Sequence, residues 1–246
     1  QRFVPCSTFK VPNSLIALET GVAPDAAFTL AYDPKRDGEQ SGAWNRDQDL
    51  ASALRNSTLW YYRELARRVG PARMQELLDR FDYGNRDLSA GIDRFWLGGG
   101  LRISAEEQAR FLQRFRQNRL GLAPRTSATV HDLMLLETAP EYRWYGKTGS
   151  CTDSPGQPIA WHVGFVERAG TTTYYALNFD GGSLPELCAR RPALIRARLH
   201  AAGLIAPQPP SAREQMQARI QAALASFPGT VCLYALNLDT GQGFGI

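Results

Sequence analysis

The stretch Ser7-Thr8-Phe9-Lys10-Val11-Pro12-Asn13-Ser14-Leu15-Ile16-Ala17-Leu18-Glu19-Thr20-Gly21 decides how the rest of the chain is read. Its pattern predicts a helix. Pro12 suits a first turn, where its missing N–H costs nothing, Leu15, Ile16 and Leu18 can face a core, and Gly21 suits the C-terminus. Ser7 then lies at the positive end of the helix dipole with Lys10 one turn further along the same face, so hydroxyl and amine can meet. A serine attacks poorly until a neighbour takes its proton, and a helix start also offers backbone N–H groups to a developing oxyanion. By itself, Ser-x-x-Lys is more often a serine cap beside a solvated lysine.

The lysine content sharpens the reading. Of 28 basic residues only Lys10, Lys35 and Lys147 are lysines, which leaves 25 arginines. A coding bias toward Arg accounts for most of that ratio. A lysine kept against the bias is a candidate for chemistry, because a desolvated amine can lose its proton and a guanidinium cannot. Lys147-Thr148-Gly149 ends a run, Tyr142-Arg143-Trp144-Tyr145-Gly146, that reads as a strand, and Gly149 would let a substrate backbone lie close beside it. Ser57, within Arg55-Asn56-Ser57-Thr58-Leu59-Trp60-Tyr61-Tyr62, stands just ahead of another helical pattern.

Ser-x-x-Lys, the Ser57 element and Lys-Thr-Gly, in that order, resemble the signature of the penicillin-recognising serine enzymes. Further stretches carry the likeness over nearly the whole length: Arg2-Phe3-Val4-Pro5, Trp44-Asn45-Arg46-Asp47-Gln48, Phe81-Asp82-Tyr83-Gly84-Asn85, Phe95-Trp96-Leu97, Leu101-Arg102-Ile103-Ser104 and Trp161-His162-Val163-Gly164-Phe165-Val166-Glu167. With them the chain resembles a class D, oxacillinase-type serine β-lactamase. Tyr83-Gly84-Asn85 is the part most specific to that class, and no motif matches the general-base Glu loop of class A.

The resemblance implies an α/β fold of the α+β type: an antiparallel sheet flanked by helices, a mostly helical part, and an active site in the crevice between them. It implies Ser7 as nucleophile and Lys10 as base for acylation and deacylation, working as an N-carboxylated residue formed with carbon dioxide or bicarbonate. No other cofactor and no metal are implied. An apolar pocket would free the Lys10 lone pair, and Trp96 would donate its indole N–H to the carbamate. Ser57 would relay a proton to the leaving nitrogen and Lys147 would keep its surroundings positive. Thr148 and Lys147 would bind the substrate carboxylate, with Arg191, beside Arg190, as a second anchor. The oxyanion would lie between the backbone N–H groups of Ser7 and Ser150, the residue after Gly149. Tyr83 and Asn85 would shape the site wall. Leu59 stands where the class usually has Val, and its extra methylene would crowd the carbamate or alter water access.

Cys6 precedes the nucleophile and Cys151 lies two residues beyond Gly149. If their segments flank one cleft, the Cβ atoms can come within the roughly 4 Å that a disulfide needs. At that one feature the chain resembles some class A carbapenem-hydrolysing enzymes. A Cys6–Cys151 bridge formed in an oxidising periplasm is the expectation. Cys188 and Cys232 have no evident partners.

Segments 141–149, 159–168, 172–180 and 230–238 are expected as strands of one sheet, covered by helices over 184–202 and 212–227. A helical part is expected over about 22–138, with a capping box at Ser104-Ala105-Glu106-Glu107 opening a helix to about Gln117. The domain reading is a single catalytic domain over 1–246. Its α/β part is made of 1–21, 139–206 and 211–246, and a stiff linker spans 207–210. The helix, the strand and a turn at Asp239-Thr240-Gly241-Gln242 resemble segments that precede the nucleophile in class D enzymes, so the chain reads as circularly permuted.

Composition sets outer bounds. With 43% hydrophobic and 21% charged residues, disorder and collagen-like repeats are excluded. No run approaches the roughly 18 apolar residues of a membrane span, and Gln1 with no apolar leader reads as the start of a mature or trimmed product. A net charge of +4 favours anionic ligands, but the basic residues form no run of the kind that grips nucleic acid. His131, His162 and His200 lack paired-ligand spacing and read as surface or packing residues. The partners expected are therefore small β-lactam substrates, with no nucleic acid and no membrane. Two alternatives share the motifs: a β-lactam-sensing receptor domain and a penicillin-binding transpeptidase, each acylated without turnover.

Overall fold

Helix α1, Lys10–Glu19, runs through the interior with every residue from Lys10 to Ala17 buried. A helix covered on all sides must satisfy its own polar groups. Asn13 Nδ2 donates to the Tyr62 carbonyl at 3.2 Å, and Ser14 Oγ donates to the Lys10 carbonyl at 2.8 Å. A 3-10 turn, Cys6–Phe9, leads into α1, so Ser7 sits on the approach to the helix and caps no N–H with its side chain.

The structure, a computed structural model, describes residues 1–38, 42–153, 156–207, 212–224, 234–236 and 243–245. They form two units, Gln1–Ala206 and Pro207–Ile246. In the larger, α1 is followed by α2 (Pro34–Asp37), α3 (Leu50–Asn56), α4 (Leu59–Val69), α5 (Pro71–Phe81), α6 (Ala105–Arg116) and α7 (Pro124–Leu133). Proline opens α2, α5 and α7, where its fixed φ and missing donor suit a first turn. The predicted capping box at α6 is present: Ser104 Oγ accepts from Glu107 N at 3.2 Å, and Glu107 Oε2 accepts from Ser104 N at 2.8 Å.

Strands β1 (Leu135–Thr138), β2 (Tyr142–Asp153), β3 (Gln157–Arg168) and β4 (Thr171–Phe179) form an antiparallel sheet in that order. Helix α8, Leu184–Ala201, lies on β2 and β3, while α6 packs against β3 and β4. Strand alternation divides the side chains. Tyr145 and Phe165, opposite each other, join the main core, whereas Trp144 and Val166 pack with Ile195 and Leu199 of α8. β1 falls within the segment expected to be helical; four residues directly after α7 carry too little periodicity to announce a strand. It pairs with β2 only as far as Tyr145, opposite Leu135, so the outer edge of β2 from Lys147 onward is free of β1.

In the smaller unit α9 spans Ala212–Leu224, and β5 (Tyr234–Leu236) pairs antiparallel with β6 (Gly243–Gly245). The strand expected over 230–238 is described only for these three residues, and they pair locally, in a two-stranded sheet apart from β1 to β4. The two strands are close in sequence, so bringing them together costs little chain entropy. Linker residues 208–210, the helix end at 225–227, Cys232 and the turn at 239–242 lie outside the described residues. Among the described residues no helix is long and apolar enough to cross a membrane.

Gly84 shows how tightly the helical part is tied. Its φ is +57°, and a Cβ there would stand 2.1 Å from the Arg102 carbonyl oxygen. The Gly84→Ala variant should therefore lose about 2–3 kcal/mol of stability, read as a fall in Tm of roughly 4–10 °C in a thermal melt.

Candidate active site

The turn before α1 has an unusual backbone. Cys6 takes φ +52°, a left-handed conformation that costs a non-glycine residue about 1–2 kcal/mol and persists only where its surroundings hold it. One hold is covalent: Cys6 is bonded to Cys151 of β2, with 5.6 Å between Cα atoms. A second is steric. A Cβ on Gly149 would lie 2.9 Å from Thr8 Cγ2 and 3.0 Å from the Pro5 carbonyl oxygen and Thr8 N. Gly149 was expected to admit a substrate backbone; the backbone it admits here is the chain's own Pro5–Thr8 turn.

This anchoring brings Ser7 and Lys10 together, with Lys10 Nζ donating to Ser7 Oγ at 2.6 Å. Lys10 is 1% exposed, and its Nζ stands 5.5 Å from the centre of the Tyr62 ring. Burial, then the charges of Lys147 and Arg63, hold its pKa well below the ordinary lysine value. The amine is thus kept toward its neutral, basic form beside the hydroxyl.

Ser57 ends α3 in the left-handed region, φ +58°, and only Thr58 separates it from α4. The tight passage presents its hydroxyl to Lys147, whose Nζ donates to Ser57 Oγ at 3.0 Å and to Thr148 Oγ1 at 3.2 Å. Burial, then the charge of Arg191, lowers the Lys147 pKa to about 7. Arg191, on α8, donates to the Gly149 carbonyl at 3.0 Å and to Ser150 Oγ at 3.4 Å, and the Cys188 thiol donates to that same Oγ at 3.2 Å. Burial lowers the Arg191 pKa too. Two lysines and an arginine, Lys10, Lys147 and Arg191, thereby gather around Ser7, Ser57 and the Lys147–Ser150 stretch of β2.

The remaining predicted residues lie around this centre. Trp96 is fully buried and stacks on Phe9, ring centres 5.3 Å apart, and its Nε1 has no hydrogen-bond partner. Leu59 is half-buried at the first position of α4 and packs against the main core. Tyr83 and Asn85, expected to shape the site wall, each make contacts within the fold. Tyr83 is fully buried against Phe9 and Phe111. Asn85 clamps residues 100–102, donating to the Gly100 carbonyl and accepting from Arg102 N, each at 2.7 Å. His162 is a packing residue. It stacks on Trp144 and on Tyr175, its Nδ1 lies 3.0 Å from the Tyr175 hydroxyl, and burial followed by the charges of Arg191 and Lys147 lowers its pKa to about 3. Among the described residues no three His, Cys, Asp or Glu side chains are grouped to hold a metal ion.

Sequence reasoning missed Thr8 and Gln108, both 1% exposed beside the Ser7 turn. The signal was present: positions 108, 111, 112 and 115 share one face of α6, and only Gln108 is polar there.

A serine hydroxyl held by a desolvated lysine, with a second lysine and hydroxyl on the facing strand, is the site of a penicillin-recognising serine enzyme. The profile of the penicillin binding protein transpeptidase domain matches residues 1–193. The β-lactamase OXA-48 of Klebsiella pneumoniae is 42% identical over 180 residues, 73% of this chain and 67% of that protein. OXA-10 of Pseudomonas aeruginosa is 39% identical over 184 residues, 73% and 68% of the two chains. The crystal structure of the class D β-lactamase YbXI from Nostoc superposes with a TM-score of 0.77 at 39% identity, covering 83% of this chain and 85% of that one. The chain belongs to the class D β-lactamases, a family of serine hydrolases.

The lowered pKa of Lys147 gives a signed prediction. The ammonium, present below about pH 7, is lost above it. The KM for an anionic penicillin should then rise above pH 7, by up to about tenfold per pH unit. In Lys147→Arg, whose charge does not titrate, that rise should vanish from KM measured between pH 6 and 9.

Proposed function

We propose that the protein hydrolyses β-lactams in two steps through an acyl-enzyme on Ser7. The observation that carries this is the 2.6 Å contact from a buried, proton-poor Lys10 to the Ser7 hydroxyl. As Ser7 Oγ attacks the lactam carbonyl, its proton goes toward Lys10. The carbonyl oxygen takes up negative charge between the backbone N–H groups of Ser7 and Ser150. Ser57, held by Lys147, passes a proton to the departing ring nitrogen, and the ring C–N bond breaks. Water, deprotonated from the Lys10 side, then cleaves the ester and restores Ser7. Thr148, Lys147 and Arg191 receive the substrate carboxylate, the charged groups supplying attraction and the Thr148 hydroxyl direction.

The site also fits carboxylation of Lys10. A neutral amine that adds carbon dioxide and releases a proton becomes a carbamate, which would supply an anionic base beside Ser7 at neutral pH. Two observations support the fit: the amine is held toward its neutral form, and the buried Trp96 Nε1 is a donor without an acceptor. Leu59, at the start of α4, is the residue proposed to limit water at this base.

The same reading covers place and order. A disulfide beside the nucleophile supports an oxidising compartment, here the periplasm. The family profile ends at residue 193, and the segments resembling the family's first helix and strand follow it, which supports a circularly permuted catalytic domain over 1–246. A rearranged gene placing 207–246 ahead of residue 1 should encode an active enzyme.

Steady-state hydrolysis of benzylpenicillin, followed by absorbance, tests the reading. Turnover should continue past one equivalent, and Ser7→Ala should lose about 10⁴-fold or more in kcat. One equivalent of ring opening followed by arrest would make the chain a sensor or a transpeptidase. After degassing at low pH, the rate should fall and be restored by bicarbonate, and Trp96→Phe should need more bicarbonate for the same rate. Rates indifferent to bicarbonate would remove the carbamate and leave Ser7 in place.

A further inference from the structure

Behind the nucleophile turn lies a chain of buried hydrogen bonds that the proposed reaction does not use. The Tyr83 hydroxyl donates to Gln108 Oε1 at 3.2 Å, Gln108 Nε2 donates to Thr8 Oγ1 at 2.8 Å, and Thr8 Oγ1 donates to the Pro5 carbonyl at 2.7 Å. Tyr83, Gln108 and Thr8 are each at most 1% exposed, so no water competes for these groups. The chain runs in one direction. Tyr83 must donate because the Gln108 oxygen can only accept; the Gln108 amide can only donate; and Thr8, having accepted, points its own proton at Pro5. Burial raises the Tyr83 pKa, so the phenol keeps its proton at any ordinary pH.

The far end of this relay is the Pro5 carbonyl, which also accepts from Thr8 N at 3.2 Å. Both contacts span Cys6, in its left-handed conformation, and Ser7. On the opposite side, β2 grips the same turn through Cys151 and through the close approach at Gly149. The peptide planes from Pro5 to Thr8 include the one that carries the Ser7 N–H. Tilting it by a few tenths of an ångström would misaim a donor whose value depends on where charge develops.

We propose that Gln108 is a positioning residue for the nucleophile: through Thr8 and Pro5 it sets the orientation of the Ser7 backbone N–H, acting from α6 against the pull of the Cys6–Cys151 bridge from β2. The proposal rests on the reading of Ser7 as the acylated residue. Gln108 touches neither Ser7 nor substrate. Its effect should appear in the rate of acylation and in the affinity for a boronic acid, whose adduct places an oxygen in the oxyanion position, and not in the KM contribution of the substrate carboxylate.

The test measures three quantities for each variant: the rate constant of acylation by benzylpenicillin, from single-turnover mass spectrometry; the Ki of phenylboronic acid; and the Tm. Gln108→Leu and Thr8→Val should acylate about 10–100-fold more slowly and bind the boronate more weakly by a similar factor. Thr8→Ser, which keeps the hydroxyl, should stay near wild type in both. Gln108→Glu adds a readout that packing alone would not move. Protonated, the new carboxyl can still donate to Thr8; ionised, it only accepts and turns the Thr8 proton away from Pro5. The ratio of its acylation rate to that of wild type should therefore fall as pH rises, whereas the ratio for Gln108→Leu stays flat.

Thr8→Val or a folded Gln108→Leu that acylates at the wild-type rate would overturn the relay. So would a loss of Tm with boronate affinity unchanged, or a Gln108→Glu ratio that does not move with pH. Acylation of the wild-type protein at a residue other than Ser7, located by peptide mapping, would instead sink the reading on which the relay rests.

Discussion

Removing an ammonium group from water carries a penalty of several kcal/mol unless a counter-charge compensates, and at Lys10 the nearby charges are cations. Lys147 and Arg63 add to the effect of burial, so the site meets the cost by weakening the proton's hold on the amine. Everything else around Ser7 follows from keeping that amine dry. A helix buried along most of its length carries it, Tyr62 covers it, and the rings of Phe9 and Trp96 stack close by. The fold supplies an apolar interior deep enough that a lysine inside it is held toward its neutral form.

A second demand is mechanical. Ser7 stands on a turn with one residue in a left-handed conformation, so its geometry does not follow from local propensity and has to be imposed from outside. Three elements do so: β2 by a covalent bond and by a strand that lacks a side chain at the point of contact, α6 by a buried amide, and α1 by continuing the turn into a helix. Ser57 repeats the device in smaller form, on a left-handed residue between two helices. Both hydroxyls of the site are thus presented by backbone shapes that only a packed interior sustains.

How much of this was legible in the sequence depends on the range of the signal. The approach of Lys10 to Ser7 is set within one helical turn, and the α6 capping box within four residues, so spacing alone exposes both. The Lys147 motif could be recognised, yet its contact with Ser57 spans 90 positions and exists only once the sheet has formed. β1 escaped because four residues beside a helix carry no period. Tyr83 and Asn85 were visible as a motif, but a motif does not reveal that Gly84 lies against Arg102. Gln108 was visible as a polar residue on an apolar face, but its partners belong to segments 25 and 100 positions away.

The Cys6–Cys151 bond also changes the topology of the larger unit. It joins residues 145 positions apart and so closes a covalent ring through α1 to α7, β1 and most of β2. In a chain-entropy picture a ring of that size removes about 5 kcal/mol of disorder from the unfolded chain. A protease that cut a surface loop anywhere inside the ring would leave the two pieces tethered beside Ser7, able to re-form the same fold, until a reductant released them.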